Sequence, residues 1–226
     1  MVTARAAESV WKQIGLPLRR YTDLFPRATA GRKLGDVTTP PRPTPRQRLL
    51  DAAGELFYRQ GIGAVGVDLV SKQAGVSKRT LYQQFGSKDR LIAESLDAHG
   101  AAIIGQYIPA EDPGAPARQQ ILAVFDGLSG WTASETFRGC PFVNTATELA
   151  DPGHPARQIA RDYKLQLRGY FARHAERGQA KDPQRLADQL IVVFDGAIVQ
   201  AVIGTLRHSD AARTAAQALL DAHGIP

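Results

Sequence analysis

The run Leu69-Val70-Ser71-Lys72-Gln73-Ala74-Gly75-Val76-Ser77-Lys78-Arg79-Thr80-Leu81-Tyr82 sets a small residue, a glycine and a basic stretch at fixed intervals. Two short helices joined by a tight elbow account for that spacing. Ser71 is small enough for the helices to cross closely. Gly75, four residues on, takes the positive φ that the elbow needs. Val70, Ala74, Val76 and Leu81 fill the wedge between them. A second helix held at that angle enters the major groove of a duplex with its first side chains facing base edges. Lys78 and Arg79 reach phosphates or guanine O6 and N7, and Thr80 and Tyr82 reach phosphate or sugar. Gln83 and Gln84 read adenine or span to a phosphate, and Lys88 grips the backbone from the start of the next helix. The same pattern also describes a helical hairpin whose basic face is simply solvated.

The elements around this run follow from caps and periodicity. Thr44 caps a helix with Pro45 in its first turn, Leu49, Leu50, Ala53, Leu56 and Phe57 form its apolar face, and Gly61 ends it. Val67 to Ala74 is a second helix, with Asp68 near its positive end. Ser77 caps a third helix, Lys78 to Phe85, and Ser87 caps a fourth that begins at Lys88. The head therefore spans residues 45–92. Residues 1–44 precede it as a basic extension ending in Val37-Thr38-Thr39-Pro40-Pro41-Arg42-Pro43-Thr44-Pro45, an extended linker by composition. Residues 93–226 read as helix throughout, with apolar runs near 117–130, 142–150, 155–177, 183–206 and 210–222 separated by Asp-Pro-Gly-type breaks. The fold class is all-α: a small helix-turn-helix head on a helical bundle.

Charge divides the 226 residues in the same way. The net charge is +6, but residues 1–44 carry 8 Lys/Arg against 3 Asp/Glu, residues 45–90 carry 8 against 4, and residues 91–226 carry 12 against 15. A basic head and extension on a mildly acidic body predict an anionic partner for the basic part alone. One cysteine, Cys140, excludes an intramolecular disulfide and a cysteine-rich zinc site and fits a cytoplasmic location. It reads as a small buried hydrophobe rather than a redox sensor. Counting uninterrupted apolar residues finds no run of about 18, so no membrane span is expected. The five histidines are scattered without metal spacing, and no nucleophile elbow, phosphate loop or dinucleotide fingerprint occurs. No enzyme activity, cofactor or metal is predicted. A helical protein-interaction adaptor with a basic head is the rival reading.

Residues 46–94 resemble the DNA-binding head of the TetR/AcrR transcriptional regulators. The likeness runs through Arg48-Leu49-Leu50-Asp51-Ala52-Ala53, Glu55-Leu56-Phe57 and Gly61-Ile62. It continues through Ala74-Gly75-Val76-Ser77-Lys78, Thr80-Leu81-Tyr82, Phe85, Ser87-Lys88 and Leu91. Val67 stands where that family often has Thr or Ser, Arg79 where Gly or Ala is frequent, and Gln84 where His is frequent. The resemblance implies a homodimer on a palindromic DNA operator, most simply a repressor that a small-molecule effector releases. It implies dimerisation through the last two long helices, where Gly196, Ala197, Gln200, Ala201 and Gly204 form a small-residue stripe, although such a stripe also suits an ordinary core. It implies an effector pocket in the body, for which Phe125, Leu128, Trp131, Phe142, Thr147, Tyr163 and Tyr170 are the candidate lining. Each of those positions would equally serve as plain core.

Overall fold

The structure, a computed structural model, describes residues 43–206 and 210–226. The expectations for residues 1–42 lie outside the described residues. Helix α1 is Pro45–Gln60, α2 Val67–Ala74, α3 Lys78–Phe85 and α4 Lys88–Ile104. The body holds α5 Ala117–Thr132, α6 Pro141–Glu148, α7 Pro155–Arg177, α8 Pro183–Ile203 and α9 Ala211–Ala222. The described residues are all-α.

The capping residues act where the sequence placed them. The Thr44, Ser77 and Ser87 side chains accept from the backbone N–H of Gln47, Thr80 and Arg90, at the first turns of α1, α3 and α4. Each such bond satisfies one of the donors that a helix N-terminus leaves open, and contributes about 1 kcal/mol. Gly75 sits at φ +63°, ψ +39°, and the Gly75 and Val76 N–H groups close α2 by bonding to the carbonyls of Lys72 and Ser71. A side chain at that φ would be strained, which is why glycine forms the elbow.

Helix α4 runs unbroken across residues 92 and 93, so one rigid rod belongs to both head and body. It packs on α1 on the head side and on α7 on the body side. Helices α7 and α8 form the most extensive pair in the body, with α5 and α9 closing its other side. One close approach is fixed by a missing side chain: a Cβ on Gly127 would lie 2.7 Å from the Tyr107 Cα. The Asp126-Gly127 and Asp195-Gly196 pairs sit inside helices, and their carboxylates pair with Arg213 and Lys164.

Helix α8 passes a length-and-composition test that no uninterrupted apolar run does. Its 21 residues have a mean hydropathy of 1.8 over the most apolar window, so by length and composition it could cross a membrane. Counting uninterrupted apolar residues missed it because Asp188 and Asp195 break the run without lowering the average enough. The helix buries Leu186, Ala187, Leu190, Phe194, Ile198 and Ala201 within the bundle and leaves two thirds of that window outside the core.

Candidate nucleic-acid interface

Helix α3 is held by two inward residues. Leu81 is completely buried and Phe85 nearly so. Val70 and Ala74 are buried on α2 and face the same wedge, while Val76 is half-buried. Ser71 is buried with its Oγ lacking a hydrogen-bond partner. Its value there is small volume rather than polarity. Arg48 of α1 donates to the Gly75 carbonyl at 3.4 Å and steadies the elbow.

The remaining α3 side chains point outward. Lys78, Arg79, Tyr82, Gln83 and Gln84 are exposed, and Tyr82 shows 43 % of its surface. Arg79 makes no ion pair among the described residues, and neither does Lys72, an exposed cation on α2 that the sequence reading did not single out.

Three of the expected DNA contacts are already engaged within the chain. The Lys78 ammonium lies 2.9 and 3.1 Å from the two carboxylate oxygens of Asp68. That hydrogen bond, and the charge behind it, raise the Lys78 pKa above the usual lysine value. The Thr80 hydroxyl lies 2.8 Å from the Ser77 hydroxyl, inside the cap. Lys88 is half-buried, donates to the Ile62 carbonyl at 2.8 Å and sits 6.0 Å above the Phe57 ring. An ammonium has three donors, so Lys78 and Lys88 each keep capacity for a phosphate while anchored.

The expected effector-pocket residues do not share one cavity. Phe125, Leu128, Trp131, Phe142 and Tyr170 are buried. Trp131 packs on Tyr107 and Phe137, Phe125 on Phe171 and Phe194, and Phe142 stacks on Tyr163 at 4.7 Å. The Tyr170 hydroxyl bonds Gln120 at 2.9 Å. Thr147 is exposed, in a surface groove with Tyr58 and Glu148. Helical spacing marked these residues as inward, but it carries no information on whether the space between them is filled. Cys140 is fully buried, and burial pushes its thiol pKa up, away from the reactive thiolate.

A cavity does lie where head meets body, lined by α1, α4 and α6. Beside it the two parts are tied by polar contacts to backbone groups. The Glu148 carboxylate, at the end of α6, accepts from the Ile62 N–H at 2.6 Å and the Gly63 N–H at 3.3 Å. The Tyr58 hydroxyl accepts from the Arg138 N–H at 2.7 Å and donates to the Gly139 carbonyl at 3.0 Å. His154, capping α7, lies 3.5 Å from Asp89 of α4. Sequence reading found none of these ties, because a partner 65 to 86 residues away leaves no local pattern.

On the surface, α8 presents a second unpartnered face. Val192, Gly196, Val199 and Ile203 recur at intervals of four and three and are all exposed, Val192 by 71 % and Ile203 by 66 %, and Leu206 lies exposed beyond the helix end. Of the expected interface residues, Gly196, Gln200 and Gly204 lie exposed, Ala197 is half-buried and Ala201 is inside the core. No group of three or more His, Cys, Asp or Glu side chains that could hold a metal occurs among the described residues.

Comparison with known proteins gives this arrangement a family. Residues 49–95 match the model for bacterial regulatory proteins of the tetR family, and residues 117–219 match the tetracyclin repressor-like C-terminal domain. A TetR transcriptional regulator from Streptomyces avermitilis is 42 % identical and superposes with a TM-score of 0.77, over 81 % of this chain and 100 % of that one. A TetR-family regulator from Streptomyces coelicolor is 28 % identical with a TM-score of 0.72, over 79 % and 95 %. The transcriptional activator FasR of Mycolicibacterium smegmatis is 46 % identical over 88 residues, 39 % of this chain and 40 % of that protein. With head and body both matched, and a relative this similar along its whole length, the chain belongs to the TetR family and is a ligand-responsive, DNA-binding transcriptional regulator.

Proposed function

We propose that the protein is a repressor that binds a palindromic operator as a homodimer and leaves it when a small molecule binds. The observation that carries this reading is the outward face of α3, where Arg79, Tyr82, Gln83 and Gln84 stand free on a helix pinned by Leu81 and Phe85. Arg79 and the two glutamines read bases. Tyr82, Thr80 and Lys88 hold phosphates, and Lys78 does so while Asp68 fixes its position.

The dimer forms on the exposed stripe of α8, with Gly196 and Gly204 allowing close approach, and with α9 beside it. Four apolar or small positions, Val192, Gly196, Val199 and Ile203, at alternating intervals of four and three make a continuous seam, which water disfavours leaving open. Pairing across one seam relates two heads by a twofold axis, and a twofold pair of heads selects an inverted repeat. Two dimer states differ in the spacing of their α3 helices. An effector acts only through its different affinity for the two.

Selection of bound fragments from a genomic DNA pool tests this. The expected product is an inverted repeat with half-sites about one helical turn apart. Recovery of fragments with no common sequence would overturn base reading by α3. The likeness to FasR favours activation as the second reading, and the position of the recovered site relative to its promoter decides between the two signs.

A further inference from the structure

We propose that Asp68 sets how sharply this regulator separates its operator from random duplex, by holding Lys78 where only a fully seated α3 can use it. The inference rests on the proposed base reading by α3 and assigns a positioning residue to it.

Asp68 is the single acidic residue in α2 and α3 together, against three cations, Lys72, Lys78 and Arg79. A carboxylate on a surface that meets phosphates is repelled by every duplex, whatever its sequence. Its place in the first turn of α2 suits the positive end of that helix. That explains the position but not where the side chain goes. Lys72 lies four residues further along α2, the favoured helical spacing for an acid before a lysine, yet it makes no ion pair among the described residues. The carboxylate crosses instead to α3, with its two oxygens 2.9 and 3.1 Å from the Lys78 ammonium. The Asp68 and Lys78 side chains are 77 % and 51 % exposed, so the pair stays open to an incoming duplex.

The clasp acts differently on the two kinds of complex. A free lysine loses rotamer freedom when it settles on a phosphate, whereas the clasped Lys78 has lost it before DNA arrives. Lys78 is the first residue of α3, and Leu81 and Phe85 fix that helix from within. The ammonium therefore stands at a set offset from Arg79, Gln83 and Gln84. A phosphate meets it only when those side chains are at matching base edges. There the ammonium's remaining donors take the phosphate without releasing Asp68. On a random duplex the base edges do not match α3, and it does not seat. Lys78 then reaches a phosphate only by leaving Asp68, which strands a carboxylate facing the DNA backbone. The cost falls on the non-specific complex.

The test measures fluorescence anisotropy on a selected operator fragment and on its scrambled duplex, with scanning calorimetry on each variant. An exposed ion pair changes an equilibrium by roughly threefold and a dimer carries two, so Asp68→Asn should tighten the scrambled duplex about tenfold. Operator affinity should stay nearly level, because relief of repulsion is offset by the lysine freedom now lost on binding. Discrimination therefore falls by about the same tenfold. Asp68→Glu, which keeps a carboxylate within reach of Lys78, should restore most of it. In the Lys78→Ala background, Asp68→Asn should tighten both duplexes equally, since no ammonium remains to be held. Equal tightening with Lys78 present, or an unchanged ratio, would overturn the proposal. So would a lowered melting temperature at unchanged ratio, the sign of a role confined to the α2 dipole. A parent protein that binds both duplexes alike would instead overturn base reading by α3, and this role with it.

Discussion

Leu81 and Tyr82 are neighbours on α3 and should fail in opposite ways. Leu81 is 0 % exposed, so truncating it to alanine leaves a cavity in the wedge between α2 and α3. A buried leucine lost in this way costs roughly 3–5 kcal/mol, and for a chain of this length about 2–4 °C follows from each kcal/mol, so Leu81→Ala lowers the melting temperature by about 6–20 °C. Tyr82 is exposed, and Tyr82→Phe removes only a hydroxyl. Its melting temperature should stay within about 1–2 °C of the parent, as exposed substitutions cost at most roughly 0.5 kcal/mol. DNA binding separates the two again. A lost hydrogen bond to a phosphate costs about 1.5 kcal/mol and a dimer loses two, so Tyr82→Phe weakens operator and random duplex alike by roughly a hundredfold. Scanning calorimetry and fluorescence anisotropy on both variants read these numbers. A large melting shift for Tyr82→Phe, or weakening confined to the operator, would refute the assigned orientation of α3 or the phosphate contact.

Gly127→Ala forces a Cβ to within 2.7 Å of the Tyr107 backbone and should cost about 1–3 kcal/mol, visible in urea unfolding. Val199→Glu places a charge in the α8 seam and should convert dimer to monomer in sedimentation velocity, weakening operator binding as the second head is lost. His174 has its pKa lowered by burial, against the opposing pull of Glu111, so the folded state favours the neutral ring. Its contribution to stability is present above the unfolded value near 6.5 and is lost as pH falls through that value toward the lower folded one. Urea midpoints from pH 7.5 to 5 should therefore decline, and His174→Gln should flatten that decline.

The head was legible because its instructions are local. Thr44, Ser77 and Ser87 cap, Gly75 turns, and each acts on groups within a few residues, so α2 and α3 begin and end where spacing put them. Arg79, Tyr82, Gln83 and Gln84 stand outward for the same reason: Leu81 and Phe85 fix the phase of the helix. The junction was not legible. Tyr58 and Glu148 bond backbone groups, which every residue possesses, across 80 to 86 positions of sequence. Lys78 illustrates the intermediate case. Its basic character was evident, but its clasp by Asp68 depends on the angle between two helices. The aromatic positions of the body were recognised as inward, yet whether Phe125 or Trp131 borders a void is decided by the volumes of all its neighbours at once.

The salt dependence of binding to a labelled duplex tests the central claim, that the free face of α3 contacts DNA. Binding constants should fall linearly with salt on a log–log plot, and Lys78→Ala, which removes one phosphate contact from each of the two heads, should reduce the slope by about two. A duplex ignored at low ionic strength, or a slope that Lys78→Ala leaves unchanged, would contradict it.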